Sequence, residues 1–288
     1  MAAILPQLIE TQLSFVRLPN SLRAMHSTSQ VTPGGLTKSF TAESLPVRVY
    51  DTQVNMAADA AVMAQRCLQE VLQKNGRAAA ILATGNSQLQ FLDALVALGG
   101  VDWSCVTLFH MDEYLGIDDQ HRASFRRYMR DRVESRVKPR AFHYLAGDAL
   151  LPLSECERYT QLLTAQPIDL CCLGIGENGH IAFNDPPVAD FSDPHRVKLV
   201  KLDEACRLQQ VGEGHFANLE AVPQYAFTLT IPMLCSAQRM LCIVPERRKA
   251  QAVRDALNGP VSTQCPASIL RTKAQCTLFL DADSASLL

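Results

Sequence analysis

The chain lacks the features that would assign it to several large functional classes. No apolar run approaches the roughly 20 residues needed to span a bilayer, so no membrane partner is expected. Neither sign of charge is in excess: 27 basic against 29 acidic residues leave a net charge of −2. No broad basic field exists to hold nucleic acid, although a few cations and backbone amides suffice for one or two phosphates on a small substrate. The ten cysteines form no C-x-x-C pair; they are scattered singly except for Cys171 and Cys172, adjacent inside an apolar run. Such cysteines behave as small buried hydrophobes, and the expectation is a reduced, cytoplasmic protein rather than a disulfide scaffold. No H-E-x-x-H or clustered Cys/His set points to a metal, and His110 and His121 stand eleven apart with no ligand pattern. There is no G-x-S-x-G nucleophile elbow and no P-loop lysine motif.

What is present is an ordinary globular composition, 48% hydrophobic and 19% charged over 288 residues, enough for one sizeable core. Residues 1–40 stand apart, with Glu10 as the only acid before Glu43. They lack the long apolar stretch and small-residue cleavage site of a secretory signal. Arg17, Arg23 and several hydroxyl residues are compatible with a transit peptide, but a flexible extension, or a start at Met25, is the expectation. Pro33-Gly34-Gly35 then separates the extension from a folded domain over 45–288.

In that domain, continuous apolar runs alternate with amphipathic segments. Strands are expected at Val47–Tyr50, Ala78–Ala83, Val106–His110, Phe142–Tyr144, Ile168–Leu173, Phe227–Thr230, Met240–Val244 and Thr277–Leu280. Helices are expected at Met56–Gln73, Gln88–Leu98, Phe125–Val133, Glu155–Leu163 and Arg247–Leu257. Fully apolar strands alternating with helices mark a mostly parallel sheet covered on both faces. The predicted fold is a single Rossmann-like α/β/α sandwich, with its site at the carboxyl ends of the strands.

Three strand-to-loop junctions carry candidate chemistry. At the first, Thr84-Gly85-Asn86-Ser87 lies between a buried strand and a helix, with Gly85 free to make a tight turn and Ser87 suited to an N-cap. This is either an anion site of helix amides and hydroxyls or an ordinary βα turn. At the second, His110-Met111-Asp112-Glu113-Tyr114 puts consecutive acids at the end of a buried strand, where a carboxylate can serve as a general base. The competing reading is a solvated acidic loop. The third runs from Gly174 to Pro187 and contains a literal G-x-G-x-x-G. Pro186-Pro187 follow too soon for the helix that a dinucleotide site requires, so that assignment is rejected. What remains is a glycine-rich loop presenting His180, with Asn178 and Asp185 on either side. A histidine held by a carboxylate shuttles protons at neutral pH, while a lone histidine is otherwise a structural one.

At these junctions the sequence resembles the glucosamine-6-phosphate deaminase/isomerase family: A-T-G-N-S-Q, then M-D-E-Y-L-G, then G-x-G-x-x-G-H-I-A-F-N-x-P, in that order. The likeness continues through Val222-Pro223-Gln224-Tyr225-Ala226-Phe227-Thr228-Leu229 and Arg248-Lys249-Ala250, covering roughly residues 45–283. It implies a small sugar phosphate as partner and an activity without metal, nucleotide or other cofactor; a homo-oligomer stays open. It also implies Asp112 as the base for proton transfer at C2 and His180 as the group that opens the sugar ring. Thr84 to Ser87 and Lys249 would hold the phosphate. Asn178 and Asp185 fall where the family usually has an aspartate and a glutamate, and an asparagine oxygen can still orient the imidazole. The family's second phosphate arginine falls near Gly212 here, so that contact is expected from Arg207 or not at all.

Two other readings stay in play. One is 6-phosphogluconolactonase, argued against by Tyr114 and by Ile181-Ala182-Phe183-Asn184. The other is a non-catalytic sugar-phosphate sensor, argued against by retention of Asp112 and His180. Longer relatives carry serines for an allosteric phosphate where this chain has Pro187-Val188. An effector acts only through different affinity for two states, and without a second phosphate pocket it has no such grip except as a competitor at the active site. The expectation is hyperbolic kinetics with no stimulation by N-acetylglucosamine 6-phosphate; sigmoidal curves that this ligand renders hyperbolic would contradict it.

Overall fold

The computed structural model describes residues 34–288. The first 33 residues of the expected extension lie outside the described residues. Its last part does not read as extension, because Leu36–Ala42 form strand β1, paired antiparallel with β2 (Leu45–Tyr50). The run T-K-S-F-T is polar except for Phe40, with most side chains at the surface, as an edge strand tolerates.

Strands β3 (Ala78–Leu82), β4 (Val106–His110), β6 (Ala141–His143), β7 (Leu170–Leu173), β10 (Arg239–Val244) and β11 (Cys276–Asp281) join that pair in one eight-stranded sheet. Its order is β1-β2-β11-β10-β7-β3-β4-β6, and every pairing except β1–β2 is parallel. The apolar runs are continuous because both faces are covered. In β10, Met240, Cys242 and Val244 enter one core cluster while Leu241 and Ile243 enter the other. In β7, Cys171 and Leu173 point to the first and Leu170 and Cys172 to the second. The period-2 pleat deals successive residues to opposite faces, so a strand covered on both sides needs apolar residues throughout.

Helix α1 (Gln53–Asn75) packs on one face through Met56, Ala57, Ala60, Ala61, Ala64 and Leu68. Thr52 caps its start by accepting from the Asn55 amide at 3.2 Å, and Gly76 ends it in the left-handed conformation, φ 69°. The small residues of α1 meet Ala78 and Ala80 of β3, which lets helix and sheet approach closely. All ten cysteines are free thiols, most of them buried in these clusters. Among the described residues no helix is long and apolar enough to cross a membrane.

A second, smaller sheet was absent from the sequence reading. Strands β5 (Asp112–Tyr114), β9 (Tyr225–Leu229) and β8 (Val197–Lys201) form an antiparallel sheet in the order β5-β9-β8. The acidic segment after β4 is therefore not a solvated loop: after Met111 it crosses directly into the small sheet. A third core of Tyr114, Phe125, Phe183, Phe216 and their neighbours backs it. Helix α2 (Leu89–Ala97) follows a single 3-10 turn at Asn86–Gln88, and helix α3 (Phe125–Met129) runs on into a π-turn at Arg130–Glu134.

Candidate active site

The three junctions converge on one cleft at the carboxyl ends of β3, β4 and β7. Thr84, Gly85 and Ser87 line it from the first junction, Met111 and Asp112 from the second, and Gly176 and His180 from the third. Strand β9 fastens the last two together. Asp112 pairs with Thr228, the Leu229 amide donates to the Met111 carbonyl at 2.8 Å, and the Phe183 amide donates to Thr228 Oγ1 at 3.0 Å. Asn184 Nδ2 donates to the carbonyls of Ile181 and Leu229 at 2.9 and 2.8 Å, closing the turn in which Ala182 adopts φ 51°. An L-alanine held in the left-handed region carries strain, which here turns the glycine-rich loop back across the cleft wall.

The consecutive acids have opposite surroundings. Glu113 is fully buried, and its carboxylate accepts from Ser124 Oγ and from the amides of Tyr114, Phe125 and Arg126 at 2.9–3.1 Å. It anchors the start of α3 and leaves no lone pair for a substrate. Burial raises its carboxyl to about 7 while those four donors pull it down. Asp112 lines the cleft at 6% exposure, and among the described residues its Oδ1 has no hydrogen-bond partner and no cation pairs with it. Desolvation, then the neighbouring Glu113 charge, push its carboxyl from 3.8 up to about 8; the Thr84 hydroxyl acts the other way.

His180 is backed rather than flanked. Its Nδ1 sits 2.9 Å from Asp185 Oδ1, with the ring N–H pointing off the line to that oxygen. Asp185 is fully buried. Burial opposes its charge, but His180 and the donors Asn178 Nδ2 (3.1 Å) and Asp203 N (3.3 Å) hold its carboxyl below the ordinary value. Asn178 does not touch the imidazole directly, and its effect on the ring is indirect. Its Oδ1 accepts from the His180 backbone amide at 3.0 Å, and its Nδ2 steadies Asp185. Neither Asn178 nor Asp185 lines the cleft; both lie behind the ring and position it.

The second glycine of G-x-G-x-x-G has a local reason. A Cβ on Gly176 would fall 2.1–2.4 Å from the His180 ring, so the imidazole packs directly on bare backbone. Where the first junction lines the cleft, Gly85 turns at φ 99°, with the Ser87 hydroxyl and the Thr84 hydroxyl, which reaches Asp112, beside it. Ser87 is not an N-cap: Gly85 precedes the 3-10 turn and no side chain caps it. Asn86 faces away from the cleft lining and donates to the Glu213 carbonyl at 3.2 Å. Lys249, 2% exposed, projects into this end from the turn before the helix Ala250–Asn258, and burial lowers its ammonium.

Arg207 is not part of the site. Its Nη2 donates to the carbonyls of Leu219 and Val222 at 2.6 and 3.1 Å, tying down the loop after the helix Glu204–Gly212. That helix instead contributes Gln209 and Gln210, followed by Glu213, to the cleft. Sequence reasoning missed these three along with Thr228 and Asn184. The only signal for the last two was their place inside the matched motifs.

The profile of the family described as glucosamine-6-phosphate isomerases/6-phosphogluconolactonase matches residues 51–279. A glucosamine-6-phosphate deaminase of Exiguobacterium sibiricum is 36% identical over 207 residues, 72% of this chain and 80% of that protein. One from Listeria monocytogenes is 34% identical over 207 residues, 72% of this chain and 86% of its own. The structure of a monomeric glucosamine-6-phosphate deaminase superposes with a TM-score of 0.78 at 29% identity, over 84% of this chain and 99% of that one. A 6-phosphogluconolactonase from Shewanella baltica superposes at 0.67 and 18% identity over 86% and 99%, a likeness of fold alone.

Gly176→Ala should push the His180 ring away from Asp185. The imidazole resonances of His180 should shift in NMR spectra, and kcat should fall by on the order of 10²-fold, the contribution of a positioned acid/base. Unmoved His180 resonances would show that the ring does not depend on the bare backbone at Gly176.

Proposed function

The chain belongs to the family of glucosamine-6-phosphate isomerases/6-phosphogluconolactonase, and we propose that it converts glucosamine 6-phosphate and water to fructose 6-phosphate and ammonia. One observation carries this reading: the cleft joins an unpaired carboxylate of raised proton affinity, Asp112, to an imidazole backed by a carboxylate, His180–Asp185. The first suits removal of a carbon-bound proton and the second suits proton movement at sugar oxygens.

The chemistry divides between the two groups. His180 moves a proton between the anomeric hydroxyl and the ring oxygen, and the pyranose opens to the C1 aldehyde. The C2 proton, acidified by that aldehyde, passes to Asp112 in its ionised form; the C–H pair becomes the C1=C2 bond and the carbonyl pair moves to O1, which takes a proton from solvent, giving an enol-amine. Asp112 returns the proton to C1, leaving a C2 iminium that water hydrolyses to the ketone with release of ammonia. Burial makes Asp112 a stronger base than a solvated carboxylate, while its position holds it within reach of C2 and C1. Lys249 and the Thr84–Ser87 turn anchor the phosphate, so binding at the far end of the sugar becomes orientation at the reacting carbons.

Asp185 fixes the histidine ring and Asn178 fixes Asp185 and the loop backbone; neither touches the substrate. Support for deamination over lactone hydrolysis comes from the deaminases at 34–36% identity, whereas the lactonase structure shares only the fold. Tyr114 also stands in the core rather than the cleft, its hydroxyl donating to Gln210 at 2.6 Å.

Incubation with glucosamine 6-phosphate should release ammonia and fructose 6-phosphate in equal amounts. Asp112→Asn should cut kcat by on the order of 10²-fold or more with little change in KM, the signature of a lost general base. Near wild-type turnover in that variant would remove Asp112 from the mechanism, and hydrolysis of 6-phosphogluconolactone without ammonia release would favour the lactonase.

A further inference from the structure

The phosphate end of the cleft contains a carboxylate that the mechanism does not use. Glu213 follows the helix Glu204–Gly212 and lines the cleft together with Gly85, Ser87 and Lys249. Its side chain is 6% exposed. Oε1 lies 3.0 Å from Arg248 Nη1 and accepts from Gln209 Nε2 at 2.8 Å. Oε2 lies 3.6 Å from His215 Nε2, and 3.9 Å from where a Cβ on Gly85 would stand. Arg248 is shared further, with Glu177 at 3.0 Å and with Glu246. Arg248 therefore meets three carboxylates beside the buried Lys249, and Glu213 alone of the three lies in the cleft lining.

We infer that Glu213 is an internal anion that competes with the substrate's phosphate for Arg248 and Lys249, and so sets the affinity of this cleft for phosphate. A dianion held by the Thr84–Ser87 turn and Lys249 comes within a few ångström of the Glu213 carboxylate. Like charges at that range in a partly dry cleft repel strongly. Binding therefore requires Glu213 to leave Arg248, and Arg248 then turns its freed donor to the phosphate. The exchange also loosens one wall of the cleft. Glu213 is tied through its carbonyl to Asn86, and Gln209, which holds the Glu213 carboxylate, accepts from the Glu177 amide at 3.0 Å. Arrival of phosphate at one end is thereby coupled to the helix that lines the cleft.

This inference rests on the sugar-phosphate reading, but its test needs no turnover. Inorganic phosphate is titrated calorimetrically into the full chain and into Glu213→Gln, which keeps the shape and removes the charge. Phosphate should bind about tenfold tighter to the variant, the effect of removing one like charge at contact distance in a partly hydrated site. The KM for glucosamine 6-phosphate should fall with it, while inhibition by unphosphorylated glucosamine should not move. Unchanged or weaker phosphate binding overturns the inference. Should the glutamine variant not fold, Glu213→Asp withdraws the charge by one methylene, and again tighter binding supports the assignment while equal or weaker binding overturns it. Altered phosphate affinity without any ammonia release would sink the deaminase reading and leave Glu213 in its role.

Discussion

Asp112 and Glu113 are neighbours on one buried strand, and the site follows from how differently they are satisfied. Glu113 meets four donors and the start of α3, which locks the segment after β4 into the small sheet. Because successive residues of a strand face opposite ways, tying Glu113 to the start of α3 turns Asp112 to the other face, towards the cleft. There no cation among the described residues pairs with it, and burial beside another acid makes its charge costly. The sign for stability is determinate. With a folded value near 8 against 3.8, the folded chain holds a proton that the unfolded chain has released, so this group lowers stability as pH rises between those values. Function therefore sits at a position that folding alone would not favour.

The sequence made the main sheet legible because both its faces are buried. Runs such as Leu170–Leu173 and Met240–Val244 are apolar throughout, and no surface strand reads that way. The small sheet was not legible. β5 is three residues long and two of them are acids, while β8, V-K-L-V-K, is half solvated and carries two lysines in place of a continuous apolar run. The candidate residues divide along the same line. Asp112, His180, Thr84, Gly85, Ser87 and Lys249 sit where strand ends and motif order implied. Asn86, Asn178, Asp185 and Arg207 are polar residues whose direction only tertiary packing determines, and they proved to support the cleft from outside its lining. Glu213 carried no motif at all; it matters only because the fold brings residue 213 beside residues 85 and 248.

The cleft holds charge unevenly along its length. At the reacting end, one carboxylate stands unpaired and one imidazole leans on a buried acid. At the far end, one cation, Arg248, is already engaged by carboxylates, beside the buried Lys249. A ligand that brings its own dianion rearranges the far end and leaves the near end as built. That separation lets binding energy be gained remote from the bond changes and expressed as orientation at them.

Burial first, and the neighbouring Glu113 charge second, set the basicity of Asp112. Infrared difference spectra of wild type against Asp112→Asn, with aspartate carboxyls isotopically labelled, follow its C=O band directly as pH is raised. A protonated band that persists through neutrality and is lost with a midpoint near 8 is the result this account predicts. Loss of that band near 4, the range of an ordinary solvated carboxylate, would contradict it.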